Sequence, residues 1–148
     1  MENKIDVRIR PAEKDDLVRL ADLSLQLGYE NSVNNLERRL EALNSSGDHV
    51  LLVAESSSGS VIGLAYFKKH KSLFVEESLE VGGIVVDKDC RGLGVGKLLM
   101  SKAEDVAKNW NVRTIRLTSN IKRADAHSFY RSLGYEHPKT SHFFIKAL

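Results

Sequence analysis

The chain has 148 residues, 42% of them hydrophobic and 28% charged, which supports one domain with one sizeable core and excludes a fibrous repeat. Its net charge of +2 is too small to announce a nucleic-acid binder. The single cysteine, Cys90, excludes an intrachain disulfide framework and a cluster of metal-bound thiolates, and it points to a reducing cytoplasm.

Met1 to Asp6 lacks the apolar core of a secretory signal, and no apolar run is long enough to span a bilayer. Residues 5–10 alternate Ile5, Val7 and Ile9 with polar neighbours and predict a half-buried strand stopped by Pro11. A helix follows over 13–27, with Leu17, Leu20 and Ala21 on one face and Gly28 as its stop. A second is predicted over 32–43 from the stripe Val33, Leu36, Leu40, Leu43. Three strands come next, over 48–55, 60–70 and 73–87, the first two joined as an antiparallel hairpin through Ser56-Ser57-Ser58-Gly59-Ser60. Residues 94–110 give the clearest helix, with Trp110 closing its apolar side as a core residue. A strand over 112–118 and a helix over 123–133, ended by Gly134, lead into a tail that supplies one or two final strands. The predicted fold is α/β, a mixed and mostly antiparallel sheet of six to seven strands with helices on both faces, in the order β-α-α-β-β-β-α-β-α-β(β).

The informative junction lies between the third of those strands and the helix at 94–110. Arg91-Gly92-Leu93-Gly94-Val95-Gly96-Lys97 puts three glycines in a short strand-to-helix turn. First-turn amides of such a helix are unpaired, with the positive end of the helix dipole behind them. Glycines let phosphate oxygens approach the backbone closely, and Arg91 and Lys97 add charge on either side. The segment therefore reads as a pyrophosphate cradle, against the alternative of a simple tight turn. It is not a dinucleotide fingerprint, because Lys97 occupies the third glycine site, and not a nucleotide P-loop, because Leu98 replaces the required hydroxyl.

This R-x-x-G-x-G/A pattern after a strand resembles the acetyl-CoA signature of the GNAT superfamily of N-acetyltransferases. Ala126-His127-Ser128-Phe129-Tyr130-Arg131-Ser132-Leu133-Gly134-Tyr135 is similar to that family's A-x-x-x-Y-x-x-x-G-F/Y helix, and the element order agrees along nearly the whole chain. The resemblance implies a single N-acetyltransferase domain over residues 1–148. It also implies acetyl-CoA as acyl donor, without a metal, lying in a V-shaped cleft between the fourth and fifth strands with its pyrophosphate on residues 91–97. Main-chain groups of Ile84, Val85 and Val86 would pair with the pantetheine arm, a main-chain N–H near Ile84 or Val85 would serve the oxyanion, and Asn120 and Ser128 would add polar contacts. Arg123 departs from the family pattern, where an Asn often meets the cofactor arm.

Acetyl transfer to an amine needs a base for the amine, a donor for the oxyanion and an acid for the thiolate. The resemblance implies Tyr130 as the acid, while its place on a stripe with Ala126 and Leu133 suits a core residue equally. Among Glu76, Glu77 and Glu80, alternation puts Glu76 and Glu80 on one strand face, and Glu80 stands closest to the expected cleft as the base. Gly82-Gly83 mark a bulge in the same strand. Cys90, beside Arg91, falls in the variable part of the signature and has no catalytic role in this reading. The five histidines show no metal-ligand spacing.

Charge is sorted along the chain. Residues 12–48 hold eight acids against four bases, and residues 88–148 hold twelve bases against five acids. The polyanionic donor is expected on the basic half and a small cationic amine on the acidic half. Alternatives are a protein N-terminus or lysine as acceptor, or a non-catalytic acyl-CoA sensor; a homodimer is the family-level expectation, with no nucleic-acid or membrane partner.

Overall fold

The computed structural model describes residues 5–148; the first four residues of the opening segment discussed above lie outside the described residues. The chain divides into two compact units, one ending at Leu117 and one spanning Thr118–Leu148.

The first unit runs β1 (Val7–Pro11), a 3-10 turn (Lys14–Asp16), α1 (Leu17–Leu27), α2 (Val33–Asn44), β2 (His49–Ser56), β3 (Val61–His70), β4 (Ser78–Val86), a second 3-10 turn (Lys88–Cys90), α3 (Val95–Asn109) and β5 (Ile115–Leu117). Its sheet has the order β1-β2-β3-β4-β5, antiparallel except for the parallel β4–β5 pair. Alternate residues of β3 serve opposite faces. Leu64 joins Leu17, Leu20 and Leu23 of α1 in one apolar cluster. Its neighbour Gly63 faces α3, where an added Cβ would lie 3.2 Å from Leu99 Cδ1. Helices therefore cover both sides of the sheet, and β3 reads as the continuous apolar run of a strand buried on both faces.

Local chemistry sets the helix ends. Ser32 caps α2 by accepting from the Asn35 N–H at 3.1 Å. Gly28 ends α1 with φ of 109°, in the left-handed region that favours glycine. The predicted start of α1 at residue 13 is instead the 3-10 turn. There Asp16 accepts from the Glu13 N–H at 2.7 Å and from the Arg10 guanidinium at 2.8 and 2.9 Å.

Three expectations are corrected. Among the described residues the sheet has five strands rather than six or seven, because residues 135–148 form none. A strand requires a neighbour's amides and carbonyls, and the second unit's regular structure is one helix, α4 (Ala124–Ser132), which offers no strand edge. Phe143, Phe144 and Ile145 in that tail are 85–89% exposed. The strand predicted from residue 73 starts only at Ser78, since Ser72 Oγ accepts from the Phe74 N–H and turns the chain there. Trp110 is half-buried rather than core, with Lys69 Nζ 5.4 Å from its ring centroid. Among the described residues no helix is long and apolar enough to cross a membrane.

Candidate active site

The strand-to-helix junction is braced from α1. Asp87, directly after β4, is buried and accepts from the Asp89 N–H at 2.9 Å, which nucleates the second 3-10 turn. Its other carboxylate oxygen pairs with the Arg19 guanidinium, and Arg19 Nε donates to the Val61 carbonyl at 2.7 Å. The Asp89 N–H, then Arg19, hold the Asp87 carboxyl below the usual carboxylate range. The Lys88 N–H donates to Gln26 Oε1 at 2.9 Å. One helix thus fixes where the strand ends and the turn begins, through side chains more than sixty residues away in sequence.

Beyond that brace the turn is open. Residues 91–94 are exposed, and Arg91 Nε donates to the Val86 carbonyl at 3.1 Å, closing the loop on itself. Gly92 and Gly94 have φ of 78° and 86°, and nothing lies within 4 Å of a Cβ placed on either. Backbone conformation, not crowding, demands glycine at both. Gly94 caps α3 with no side-chain hydrogen bond, so the first-turn amides of α3 face outward. Lys97 is exposed on the same turn. These are the features a pyrophosphate needs.

The strand edge beside the turn is equally suited to an extended arm. β4 pairs with β5 only from Leu79↔Ile115 to Val81↔Leu117, yet β4 continues to Val86. From Gly82 onward its far edge has no strand partner, while its near edge stays paired to β3 through Gly63↔Val86. The side chains of Ile84 and Val85 are buried, which leaves their main chain as what they present. The expected bulge is present: Tyr66 pairs with Gly83 and Phe67 with Val81, so Gly82 is the extra residue. A Cβ on Gly82 would lie 2.6 Å from Cδ1 of the Tyr66 ring, so that ring occupies the space a side chain would need.

Above the bulge lies a cleft of about 210 Å³ between α1, α2 and the sheet. Its walls are mostly leucines, including Leu20, Leu27, Leu36 and Leu40, and its polar lining is Ser24, Tyr29, Arg39 and Tyr66 with the bulge glycines. Tyr66 Oη and His49 Nδ1 share a hydrogen bond of 2.7 Å, their rings stacked within 5° of parallel, and burial pushes the Tyr66 phenol up. Glu80, the expected base, lies on β4 with its carboxylate 3.0 Å from Lys68 Nζ. Glu77 is 3.9 Å from Lys69 Nζ, and Glu76 is exposed.

In the second unit, Tyr130 is buried on α4, 8% exposed, against the rings of Phe129 and Tyr135 at 5.4 and 6.0 Å. Burial raises its phenol above the usual range, with Arg123 pulling the other way. A raised phenol is protonated at neutral pH, as a proton donor must be. Asn120 organises its own turn: Oδ1 accepts from the Lys122 N–H at 2.9 Å, and its carbonyl accepts from the Arg123 N–H and lies 2.9 Å from His127 Nε2. Ser128 is exposed.

The first unit therefore unites Ile84, Val85, Val86 and Arg91 to Lys97 in one continuous surface. Sequence reading missed Arg19, Gln26 and Asp87 as its brace, and Tyr66, His49 and Arg39 at the cleft. Only the bulge glycines hinted that something large lay over β4.

An uncapped helix turn beside a strand edge without a strand partner, on a mixed sheet covered by helices on both faces, is a scaffold that can hold a phosphate-bearing ligand with an extended arm. The model of the acetyltransferase (GNAT) family matches residues 17–135, and the chain belongs to that family, whose acyl donor is acetyl-CoA. It is 38% identical over 96 residues to an aminoalkylphosphonate N-acetyltransferase of Salmonella typhimurium, covering 62% of this chain and 58% of that one, so the chain spans less than two thirds of that relative's length. Its fold is that of glucosamine-6-phosphate N-acetyltransferase from Arabidopsis thaliana, with a TM-score of 0.83 at 22% identity over 95% of this chain and 98% of that one. It is also that of an aminoglycoside N-acetyltransferase solved in complex with CoA, with a TM-score of 0.86 at 19% identity over 100% of this chain and 99% of the other.

Proposed function

We propose that the chain moves the acetyl group of acetyl-CoA directly to a primary amine of a small acceptor, as one N-acetyltransferase domain. The observation that carries this is the β4 edge from Gly82 to Val86, without a strand partner among the described residues, leading through the 3-10 turn at Lys88–Cys90 to the exposed turn at 91–94 and the uncapped start of α3. Acetyl-CoA, when bound, supplies the thioester. The turn amides with Arg91 and Lys97 hold the phosphates, and the main chain of Ile84 to Val86 pairs with the arm. Asn120 and Ser128 add polar contacts, Asn120 through the donor end of its amide. The N–H of Ile84 or Val85 is the donor for the oxyanion.

In the overall exchange a C–N bond forms as the C–S bond breaks. Glu80, outside the cleft lining with its carboxylate against Lys68, takes the proton that leaves the amine through a water relay, and Tyr130 delivers one to the departing sulfur. What supports Tyr130 in the second role is its place as the tyrosine of the A-x-x-x-Y-x-x-x-G-F/Y helix, on α4. The leucine-walled cleft beside the bulge is our acceptor site. Its volume lies below the roughly 300–1,000 Å³ of pockets for drug-sized ligands, which favours a small acceptor over a peptide segment.

The cleft itself adds nothing to the cationic acceptor expected from charge sorting, since no carboxylate lines it. Within residues 12–48 four of the eight acids engage bases, Asp16 with Arg10, Asp22 with Arg19, Glu37 with Lys14 and Asp48 with Lys71. The cytoplasmic setting and the homodimer stay within the proposal, the latter checked by light scattering.

A thiol-release assay with acetyl-CoA across small primary amines tests the reading. Stoichiometric release of CoA and acetylated amine is expected; CoA binding without release from any amine would favour an acyl-CoA sensor.

A further inference from the structure

We infer that Arg39 anchors an anionic group of the acceptor, so that the substrate is a primary amine carrying a carboxylate or phosphonate on a short apolar body. This rests on the acetyl-transfer reading and names the substrate class of the same cleft.

Arg39 is the one charged residue of the lining. It lines the cleft from α2, while Gly82 and Gly83 line it from the sheet, so a single small molecule can reach both the helix wall and the strand where the thioester is expected. Its guanidinium is already oriented: it donates to Asn31 Oδ1, and Asn31 Nδ2 donates to Ser24 Oγ at 3.1 Å. Both supports are neutral. Among the described residues Arg39 forms no ion pair, whereas Arg10 and Arg19 of the same unit each meet carboxylates. Four guanidinium N–H donors are therefore left for a ligand, in the planar fork that matches a carboxylate or phosphonate with two parallel bonds. Arg39 is exposed, so it meets such a group at the mouth of the leucine-walled cleft. A second cation in the cleft would be repelled, and a neutral amine would leave the guanidinium unmatched. Between the two ends, leucine walls suit methylenes.

The test is a set of amines: 4-aminobutanoate, 3-aminopropylphosphonate and the neutral 4-aminobutanamide, which share three methylenes, and the dication 1,4-diaminobutane, in which a fourth methylene and an ammonium replace the acid group. Thiol release is measured for wild type, Arg39→Gln and Arg39→Lys. One of the two anionic amines is expected to exceed the amide and the diamine in kcat/KM by about 10- to 100-fold, the scale of a charge-assisted pair, chiefly through KM. Which anion leads separates carboxylate from phosphonate recognition. Arg39→Gln is expected to collapse the anion-to-amide ratio towards one, and Arg39→Lys to recover part of it. Calorimetric titration with CoA confirms that each variant is folded. Equal or better use of the diamine or amide by wild type, or a ratio unmoved in Arg39→Gln, overturns the inference while acetyl transfer stands. Failure of wild type to bind CoA instead brings down the acetyl-transfer reading.

Discussion

Gly82 shows how one missing side chain shapes the site. The Tyr66 ring lies where its Cβ would be, and the stack and hydrogen bond with His49 hold that ring in place. Gly82→Ala must therefore displace either the ring or the bulge. Overpacking of this kind costs about 1–3 kcal/mol, which at this size lowers Tm by about 2–4 °C per kcal/mol. A thermal melt matching wild type would show that the ring yields freely. Tyr130 makes the second residue-scale case. Tyr130→Phe removes the hydroxyl and leaves the ring packing, so kcat should fall about 10-fold or more with CoA affinity unchanged. An unchanged kcat would return Tyr130 to packing alone. Because its pKa is raised, the alkaline limb attributable to the phenol should fall above the ordinary tyrosine value of about 10.

At the scale of elements, two ion pairs tie the helical side of the first unit to the sheet. Arg10–Asp16 joins β1 to the turn that opens α1, and Arg19–Asp87 joins α1 to the end of β4. Both carboxyls are held below the ordinary value of 3.8, Asp16 by Arg10 first and Asp87 by the Asp89 N–H first. A depressed folded pKa contributes stability that is fully present above the unfolded value and is lost as pH falls through the folded one. Stability should therefore decline below about pH 4 on this account, and Asp16→Asn should flatten that part of the curve in acid denaturation followed by circular dichroism. Asp87→Asn should in addition weaken CoA binding, because the brace that positions the turn is lost; intact CoA affinity in that variant would show the turn holds itself.

These ties also mark where sequence stops being legible. The glycine turn and the 3.6-residue stripe of α3 are local, and both stand where periodicity and motif placed them. Arg19 and Asp87 are 68 residues apart, and nothing in either neighbourhood signals the pairing. Arg39 is exposed, and only the cleft it borders distinguishes it from the other charges of α2. The charge sorting is real in composition, but half of its acids are engaged by bases. The final strands fail for a related reason: element order can nominate a strand, while only a partner edge makes one.

For the molecule as a whole, the family match runs through both units, from residue 17 to residue 135. The proposed donor surface, by contrast, lies along β4 and the start of α3 in the first. The account's central claim is that this surface grips the phosphates of CoA through main-chain amides that only a left-handed Gly94 can present. Calorimetric titration of CoA into wild type and Gly94→Val tests it most directly. Measurable heat for wild type and an affinity at least about 10-fold weaker for the variant are predicted, on the scale of one or more charge-assisted hydrogen bonds. No heat with wild type, or the same affinity in both proteins, would contradict it.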